Sequence, residues 1–155
     1  MNEVFIQKCI DLARLSLENG DWPFGAVLVS DGKVIAEAIN TAKQDITGHA
    51  EVNAVRAALN ENPNLNLSRC TIYSNFEPCP MCSFIIREHG IGRVVYALPS
   101  PFWGGVSRWP ILTDTLPERA FADVKNANVP EVVGGILEDE AKKVFDELGW
   151  TMYQK

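Results

Sequence analysis

The chain has 155 residues, 46% of them hydrophobic and 22% charged, and its formal net charge is −6. This length and mixture of residues fit one folded domain, which we expect to cover residues 1–155, and exclude a disordered segment. No apolar run reaches the roughly 18 residues that a membrane-spanning helix needs, and the N-terminus lacks the basic start of a signal peptide. We therefore expect a soluble, cytoplasmic protein with no membrane partner.

The balance of charge argues against a nucleic-acid partner. Lys and Arg total 14 against 20 Asp and Glu, and the only adjacent basic residues are Lys142 and Lys143. Proteins that bind nucleic acids usually display a basic stripe, because neutralised phosphates and released counterions supply most of their affinity. A small neutral substrate is therefore expected in preference to a long polyanion.

Hydrophobic periodicity and turn residues predict helices and strands along the whole chain. The predicted elements are a helix over 3–19, strands over 24–29 and 34–40, a helix over 49–60, a strand over 70–75, a helix over 80–88, strands over 93–98 and 131–137, and a helix over 138–148. Asp31 and Gly32 between the first two strands are a strong hairpin signal. The segment 99–117 is rich in Pro, Gly and Trp and is expected to be a long ordered loop. This order predicts a three-layer α/β/α fold with a mixed five-stranded sheet.

Two short clusters carry the chemistry of the sequence. His49-Ala50-Glu51 opens one predicted helix, and Pro78-Cys79-Pro80-Met81-Cys82 opens another. At a helix N-terminus, unpaired N–H groups and the helix dipole favour thiolates and carboxylates. Together the two clusters offer one imidazole, two thiols and one carboxylate, and zinc binds imidazole and thiolate ligands.

The number of ligands separates a catalytic zinc site from a structural one, because catalytic zinc keeps one position for water. A closed site would need a fourth ligand from His89, Cys9 or Cys70. His89 lies seven residues beyond Cys82 on the same predicted helix, which is about 10 Å along its axis. Cys9 and Cys70 occupy apolar positions that are typical of a core. Three protein ligands and one open position are therefore predicted.

Glu51 is the candidate base. Two thiolates cancel the formal charge of Zn²⁺, so the metal polarises water less than it would with three histidines, and a neighbouring base becomes useful. We expect Glu51 to take a proton from the attacking water and to deliver protons to a ring nitrogen and to the departing amine. The alternatives are a redox pair formed by Cys79 and Cys82, which His49 upstream disfavours, and a structural zinc site, which lacks a fourth ligand.

The motifs resemble those of the cytidine/deoxycytidylate deaminase superfamily, in its branch of guanine deaminases and tRNA adenosine deaminases. The segments that carry the resemblance, in order and spacing, are Pro23-Phe24-Gly25-Ala26-Val27, His49-Ala50-Glu51, Glu77-Pro78-Cys79-Pro80-Met81-Cys82 and Arg93-Val94-Val95-Tyr96-Ala97. It covers residues 3–98 well and residues 134–148 more loosely. The resemblance implies a cytidine-deaminase-like fold and a homodimer whose interface lies near the active sites.

The resemblance also implies roles for individual residues. For the metal and the chemistry, these are His49, Cys79 and Cys82 as ligands of one Zn²⁺ per subunit and Glu51 as proton shuttle. For the substrate, they are Asn40, whose amide grips the base, Ala50, whose backbone hydrogen-bonds to it, and Phe24, which lines the pocket.

The chain departs from this branch after Leu98. The tRNA enzymes usually carry an Asp and a Lys there in a short loop, whereas this chain has a longer loop with Phe102, Trp103 and Trp109. These aromatic residues either pack within the loop or against a dimer partner, or form a lid on which a purine ring stacks. Trp103 is the one assigned to substrate binding.

Two features of guanine deaminases are also not plainly matched: their acidic residues in this region and their C-terminal aromatic residues. Trp150 and Tyr153 are the candidates for the aromatic residues. These departures concern the choice of substrate and leave the zinc chemistry unchanged.

The predicted function is zinc-dependent hydrolytic deamination of a free nucleobase or related amino-heterocycle, with guanine foremost. A ring C–NH₂ becomes C=O, and ammonia is released. The first alternative is tRNA adenosine-to-inosine deamination, which the net charge of −6 and the altered loop disfavour. The second is deamination of cytosine or an amino-triazine. A degenerate deaminase domain kept as a scaffold ranks last, because a scaffold has no need of the Glu51 carboxylate.

Overall fold

The helices and strands begin and end close to the residues predicted from the sequence. The structure, a computed structural model, describes residues 1–115 and 128–151. Its elements are α1 (Asn2–Glu18), β1 (Gly25–Ser30), β2 (Lys33–Ile39), α2 (Ala50–Glu61), β3 (Cys70–Phe76), α3 (Pro80–Glu88), β4 (Arg93–Leu98), β5 (Glu131–Val133) and α4 (Glu138–Asp146). All of them lie within two residues of the predicted bounds except the end of β5.

The five strands form one mixed sheet in the order β2-β1-β3-β4-β5. Strand β1 pairs antiparallel with β2 and β3, whereas β3 with β4 and β4 with β5 are parallel. The β1–β2 hairpin turns at Asp31 and Gly32, whose φ angles are 49° and 74°. Positive φ at both central residues of a two-residue turn matches the twist of the strands, which explains why Asp-Gly predicted the hairpin.

Helices cover both faces of the sheet because the strand side chains alternate between two cores. Val27 and Val29 of β1 face the core that contains the buried residues of α1 and α4. Ala26 and Leu28 face the other core, with the buried residues of α2 and with Ile86 of α3. The prediction of a three-layer α/β/α fold with a mixed five-stranded sheet is confirmed.

The last strand is shorter than predicted. The strand over 131–137 ends at Val133, and Gly135 follows with a φ of 80°. This left-handed conformation interrupts the ladder, and a Cβ at Gly134 would collide with the ring of Tyr96. The structure also contains a short 3₁₀ turn, Leu67–Arg69, ahead of β3, which the sequence did not predict.

The segment after β4 is the ordered loop that the sequence predicts, as far as residue 115. Leu112 is fully buried, and Arg87 of α3 donates hydrogen bonds to the carbonyls of Ile111 and Asp114. Residues 116 and 117 of the predicted loop, and Tyr153, lie outside the described residues. Within 1–115 and 128–151, none of the helices combines the length and apolarity needed to cross a membrane.

Candidate active site

Three side chains with metal-binding chemistry meet where two helices begin. His49 and Cys79 are the N-cap residues of α2 and α3, and Cys82 lies in the first turn of α3. His49 Nδ1 is 3.4 Å from Cys79 Sγ and 3.5 Å from Cys82 Sγ, and the two sulfurs are 3.6 Å apart. In the part of the chain that the structure describes, this is the only group of three His, Cys, Asp or Glu side chains close enough to hold a metal ion.

The spacing of these three atoms fits zinc. Zinc bonds of about 2.3 Å to sulfur and 2.0–2.1 Å to nitrogen place tetrahedral ligands about 3.5 to 3.8 Å apart, close to the observed distances. The three candidates for a fourth ligand lie away from this group. His89 follows the far end of α3 from Cys82, and Cys9 and Cys70 are buried in the two cores. The donor set therefore has three protein ligands, the number that a catalytic zinc site uses.

The two thiols differ in acidity before any metal binds. A hydrogen bond with Cys82 lowers the pKa of the Cys79 thiol to about 4, with burial opposing the shift and His49 adding to it. The same contact, together with burial, raises the pKa of Cys82. Cys79 also raises the pKa of His49 through their hydrogen bond. One sulfur is thus a thiolate at neutral pH, and the other would have to lose its proton to become a metal ligand.

Glu51 lies beside the metal group in the first turn of α2 and is only 6% exposed. Its Oε2 is 3.5 Å from Cys82 Sγ, and its Oε1 accepts a 2.9 Å hydrogen bond from Ser74 Oγ. Burial, and secondarily the charge of Cys79, raise the pKa of Glu51. A carboxylate with a raised pKa next to a metal site has the properties of a general acid–base.

The metal group and Glu51 open into a cavity of about 350 Å³. Half of its lining residues are aromatic, and they come from separate parts of the chain. The lining consists of His49, Glu51, Cys79, Glu77 and Ser100, together with Trp22, Phe24, Phe76, Trp103 and Trp150. Trp22 and Trp150 contact each other at 5.4 Å between ring centroids, and Phe24 meets Phe76 edge-on at 5.5 Å. The cavity therefore combines aromatic, apolar surface with the polar groups of His49, Glu51 and Cys79.

The structure brings together most of the predicted site residues, but not all. His49, Glu51, Cys79, Phe24 and Trp103 line the cavity, and Cys82 lies directly beneath it. Asn40 and Ala50 are buried and are not among its lining residues.

Asn40 lies at the end of β2, and its amide is held by a neighbouring carboxylate. Asn40 Nδ2 donates to Asp21 Oδ1 at 2.8 Å, while its Oδ1 is buried and has no hydrogen-bond partner among residues 1–115 and 128–151. Burial raises the pKa of Asp21, but hydrogen bonds from Asn40, Trp22 and Lys43 outweigh it and lower that pKa overall. Because an ionised carboxylate only accepts hydrogen bonds, Asp21 fixes which end of the Asn40 amide faces it.

Several residues of the site were missed by sequence reasoning. Trp22 and Phe76 line the cavity, and Ser74 contacts Glu51, but none of them was singled out. Trp22 directly precedes the Pro23–Phe24 motif, which was a usable signal. Trp150 was only a weak candidate and proves to be part of the cavity wall.

Comparison with known proteins agrees with this geometry. A family model of the cytidine and deoxycytidylate deaminase zinc-binding region matches residues 1–98, which include the three candidate ligands and Glu51. The chain belongs to this family. It is a zinc-type nucleoside or nucleobase deaminase, a hydrolase that removes an amino group from a ring carbon.

Relatives of the deaminase include both kinds of enzyme in the expected branch. A tRNA-specific adenosine deaminase of Agrobacterium fabrum is 31% identical over 143 residues, which are 91% of this chain and 89% of that protein. A guanine deaminase of Bacillus subtilis is 39% identical over 101 residues, 63% of this chain and 60% of that protein. The chain spans only 8% of the chloroplastic tRNA(adenine(34)) deaminase of Arabidopsis thaliana, with 32% identity over 111 residues.

Solved structures confirm the fold of the deaminase. One from a study of A-to-I editing by tRNA:A34 deaminases has a TM-score of 0.74 and 30% identity, and the match covers 90% of this chain and 97% of that one. The expected cytidine-deaminase-like fold is therefore confirmed, while both substrate classes occur among the relatives.

Proposed function

We propose that the deaminase acts on a free nucleobase or a related amino-heterocycle, with guanine foremost, and that residues 1–155 form one zinc-dependent deaminase domain. The observation that carries this proposal is the lining of the cavity. Five of its ten lining residues are aromatic, and Lys and Arg are absent among them in the described part of the chain. Aromatic side chains offer ring faces on which a planar heterocycle can stack, and a volume of about 350 Å³ is at the small end of ligand sites.

The pairing of basic side chains gives further support. Six of them lie within 4.0 Å of carboxylates: Lys8 with Glu37, Arg14 with Glu147, Arg56 with Asp45, Arg69 with Asp31, Arg93 with Glu131 and Lys142 with Asp146. Such exposed pairs contribute little to stability, but each cancels positive charge that a phosphate backbone would attract.

In the proposed mechanism, His49, Cys79 and Cys82 hold zinc, which when bound supplies a Lewis acid that makes water nucleophilic near neutral pH. Glu51 accepts a proton from the attacking water as its oxygen bonds to the amino-bearing ring carbon. It delivers this proton to a ring nitrogen, then takes the second proton, from the hydroxyl now on the ring carbon, and delivers it to the departing amine. The C–N bond breaks, ammonia leaves, and the ring carbon becomes a carbonyl.

The proposed substrate contacts divide between stacking and hydrogen bonding. Phe24 and Trp103 provide stacking surfaces for the ring. The resemblance assigns the grip on the base to Asn40, which is buried next to the cavity-lining Phe24; its Oδ1, which has no partner within the described chain, is the proposed acceptor for a ring N–H. The backbone of Ala50 supplies the remaining contact to the base. Because Asp21 holds the other end of the Asn40 amide, this acceptor keeps its orientation.

Ser74 is expected to position Glu51 for proton transfer. Its hydroxyl donates to Glu51 Oε1 and accepts from the N–H of Phe76 at 3.4 Å, so its single proton is directed at the carboxylate. Removing this buried hydrogen bond in Ser74→Ala should lower kcat roughly tenfold, with little change in KM. Ser74→Thr keeps the hydroxyl and should retain most of the activity. Equal losses in both variants would contradict the positioning role.

The substrate is tested by ammonia release from purified protein of measured zinc content. The panel contains guanine, guanosine, adenine, cytosine, an amino-triazine and an anticodon stem-loop RNA. We expect turnover of a free base, guanine above the others. Turnover of the stem-loop alone would contradict the proposal and move the enzyme to RNA modification.

The second candidate, tRNA adenosine deamination, is favoured by one specific observation. The match to the Agrobacterium tRNA-specific enzyme extends over 91% of this chain, farther than the match to the guanine deaminase. This candidate would be supported by binding of the stem-loop with an affinity that falls steeply as salt increases. For a duplex, the logarithm of the binding constant falls by about 0.9 per neutralised phosphate for each tenfold increase in salt.

We also propose a cytoplasmic homodimer. The four cysteines are free, and two of them are the proposed zinc ligands, a use of cysteine that is typical of a reducing compartment. Phe84 on α3 and Phe102 in the following loop are 63% and 48% exposed, and a second copy would bury such apolar surface. Light scattering at micromolar concentration should give twice the mass of the chain.

A further inference from the structure

Glu77 lines the cavity but has no capacity left for a substrate. The side chain is 2% exposed and lies two residues before Cys79. Its Oε1 accepts from the backbone N–H of Val106 at 2.9 Å and of Ser107 at 2.7 Å. Its Oε2 accepts from the N–H of Ser100 at 2.8 Å and from the hydroxyl of Ser107 at 2.5 Å. A carboxylate has about four acceptor sites, so all of them are occupied by one segment, residues 100–107.

The segment 100–107 is folded closely around this carboxylate. The N–H of Gly104 donates to the carbonyl of Ser100, and that of Gly105 to the carbonyl of Pro78, both at 2.8 Å. A Cβ on Gly104 would collide with the Glu77 carboxylate, and one on Gly105 would collide with Ser83 Oγ. The missing side chains at both glycines allow this close packing, and at Gly104 the group that occupies the space is the Glu77 carboxylate.

Trp103 depends on this arrangement for its position. It lies inside the turn closed between Ser100 and Gly104, and its side chain forms one wall of the cavity. The indole is 55% exposed, and its one described ring contact is with Trp109, at 6.2 Å between centroids. Because Trp103 belongs to the turn closed between Ser100 and Gly104, the hydrogen bonds of that turn set the position of its backbone and hence the point from which its side chain reaches the cavity.

We propose that Glu77 is a positioning residue that fixes segment 100–107 and, through it, keeps Trp103 at the wall of the cavity, where its indole selects flat substrates. The segment is then a permanent part of the binding site and not a lid that closes over the ring. This inference rests on the proposed function, because it takes a planar heterocycle as the ligand of the cavity.

The first test follows the backbone and needs no substrate. In hydrogen exchange, the amides of Ser100, Val106 and Ser107 should be protected in the natural protein. Glu77→Gln replaces two acceptor sites by an NH₂ that faces N–H donors, so exchange of peptides covering 100–107 should be at least roughly tenfold faster. The matched control is Glu61→Gln, at the exposed end of α2, which should leave exchange and activity unchanged. Unchanged exchange in Glu77→Gln would overturn the proposal.

The second test is a double-mutant cycle on KM for the best free base. Glu77→Gln and Trp103→Ala should each raise KM roughly tenfold, with zinc content retained. If Glu77 acts through Trp103, adding Glu77→Gln to Trp103→Ala should raise KM no further. Additive increases, or loss of zinc in Glu77→Gln, would overturn the proposal. If Glu77→Gln folds poorly, Ser107→Ala takes its place in the cycle. It removes one of the four hydrogen bonds and should raise KM by a smaller factor, again only when Trp103 is present.

The two tests also separate this inference from the proposed function. A natural protein that deaminates no free base would contradict the proposed function, while the exchange experiment would still decide whether Glu77 holds the segment. An active natural protein whose KM is unaffected by Glu77→Gln would contradict the inference alone.

Discussion

Replacement of Glu51 by Gln is expected to lower kcat by roughly 10³-fold or more while the fold and the zinc content stay unchanged. Gln has nearly the same shape, and its amide oxygen still accepts the hydrogen bond from Ser74. It cannot take a proton from water, however, and it cannot deliver one to the ring or to the amine. Because Glu51 is assigned every proton transfer of the reaction, its loss affects each step.

The measurement combines steady-state ammonia release with metal analysis of the same sample. Glu61→Gln is the matched control, because it makes the same chemical change at the other end of α2 on an exposed side chain. The control should retain full activity. An active Glu51→Gln enzyme would refute the proton-shuttle assignment, and a zinc-free one would show that the carboxylate supports the metal instead.

The metal group is the part of the site that local sequence reasoning predicted best. His49, Cys79 and Cys82 each lie at or next to a helix start, and the turn chemistry around them marks those starts. The hairpin at Asp31 and Gly32 was equally local. Both rest on neighbouring residues, for which sequence rules are strongest.

The contacts that tune the site are long-range and could not be read from spacing. Ser74 is 23 residues from Glu51, and within strand β3 it looked like an ordinary alternating polar position. Trp22 and Trp150 meet only because α4 packs beside α1 on one face of the sheet. The predicted strand over 131–137 was too long for a related reason, because the chain turns at Gly135 while Gly134 packs against the ring of Tyr96 on β4, a contact that spacing does not reveal.

The loop after β4 also combines a feature that local sequence predicts with a contact that it does not. Its Pro, Gly and Trp content predicted an ordered loop, but left open whether it closes over the substrate. The deciding group, Glu77, belongs to the preceding metal-binding motif, and its four hydrogen bonds reach residues 23 to 30 positions away. The composition predicts that the loop is ordered, while only the fold reveals which carboxylate orders it.

Cys79→Ala is expected to abolish zinc binding and activity together. The remaining pair, His49 and Cys82, offers two ligands where catalytic zinc needs three. Zinc that binds the folded chain stabilises it, by about 2.7 kcal/mol when free zinc is 100 times Kd. A strong chelator should therefore lower the Tm of the natural protein and leave that of Cys79→Ala unchanged. Metal analysis and thermal unfolding with and without chelator check this.

Cys70→Ala is the control, because it makes the same change at a buried thiol of β3 outside the metal group. Its Tm should fall through lost packing, but its zinc content and its response to the chelator should match those of the natural protein. The comparison separates loss of a ligand from loss of a core side chain. Full zinc occupancy in Cys79→Ala would refute the ligand role of Cys79, and an equal loss of zinc in Cys70→Ala would trace the effect to the fold.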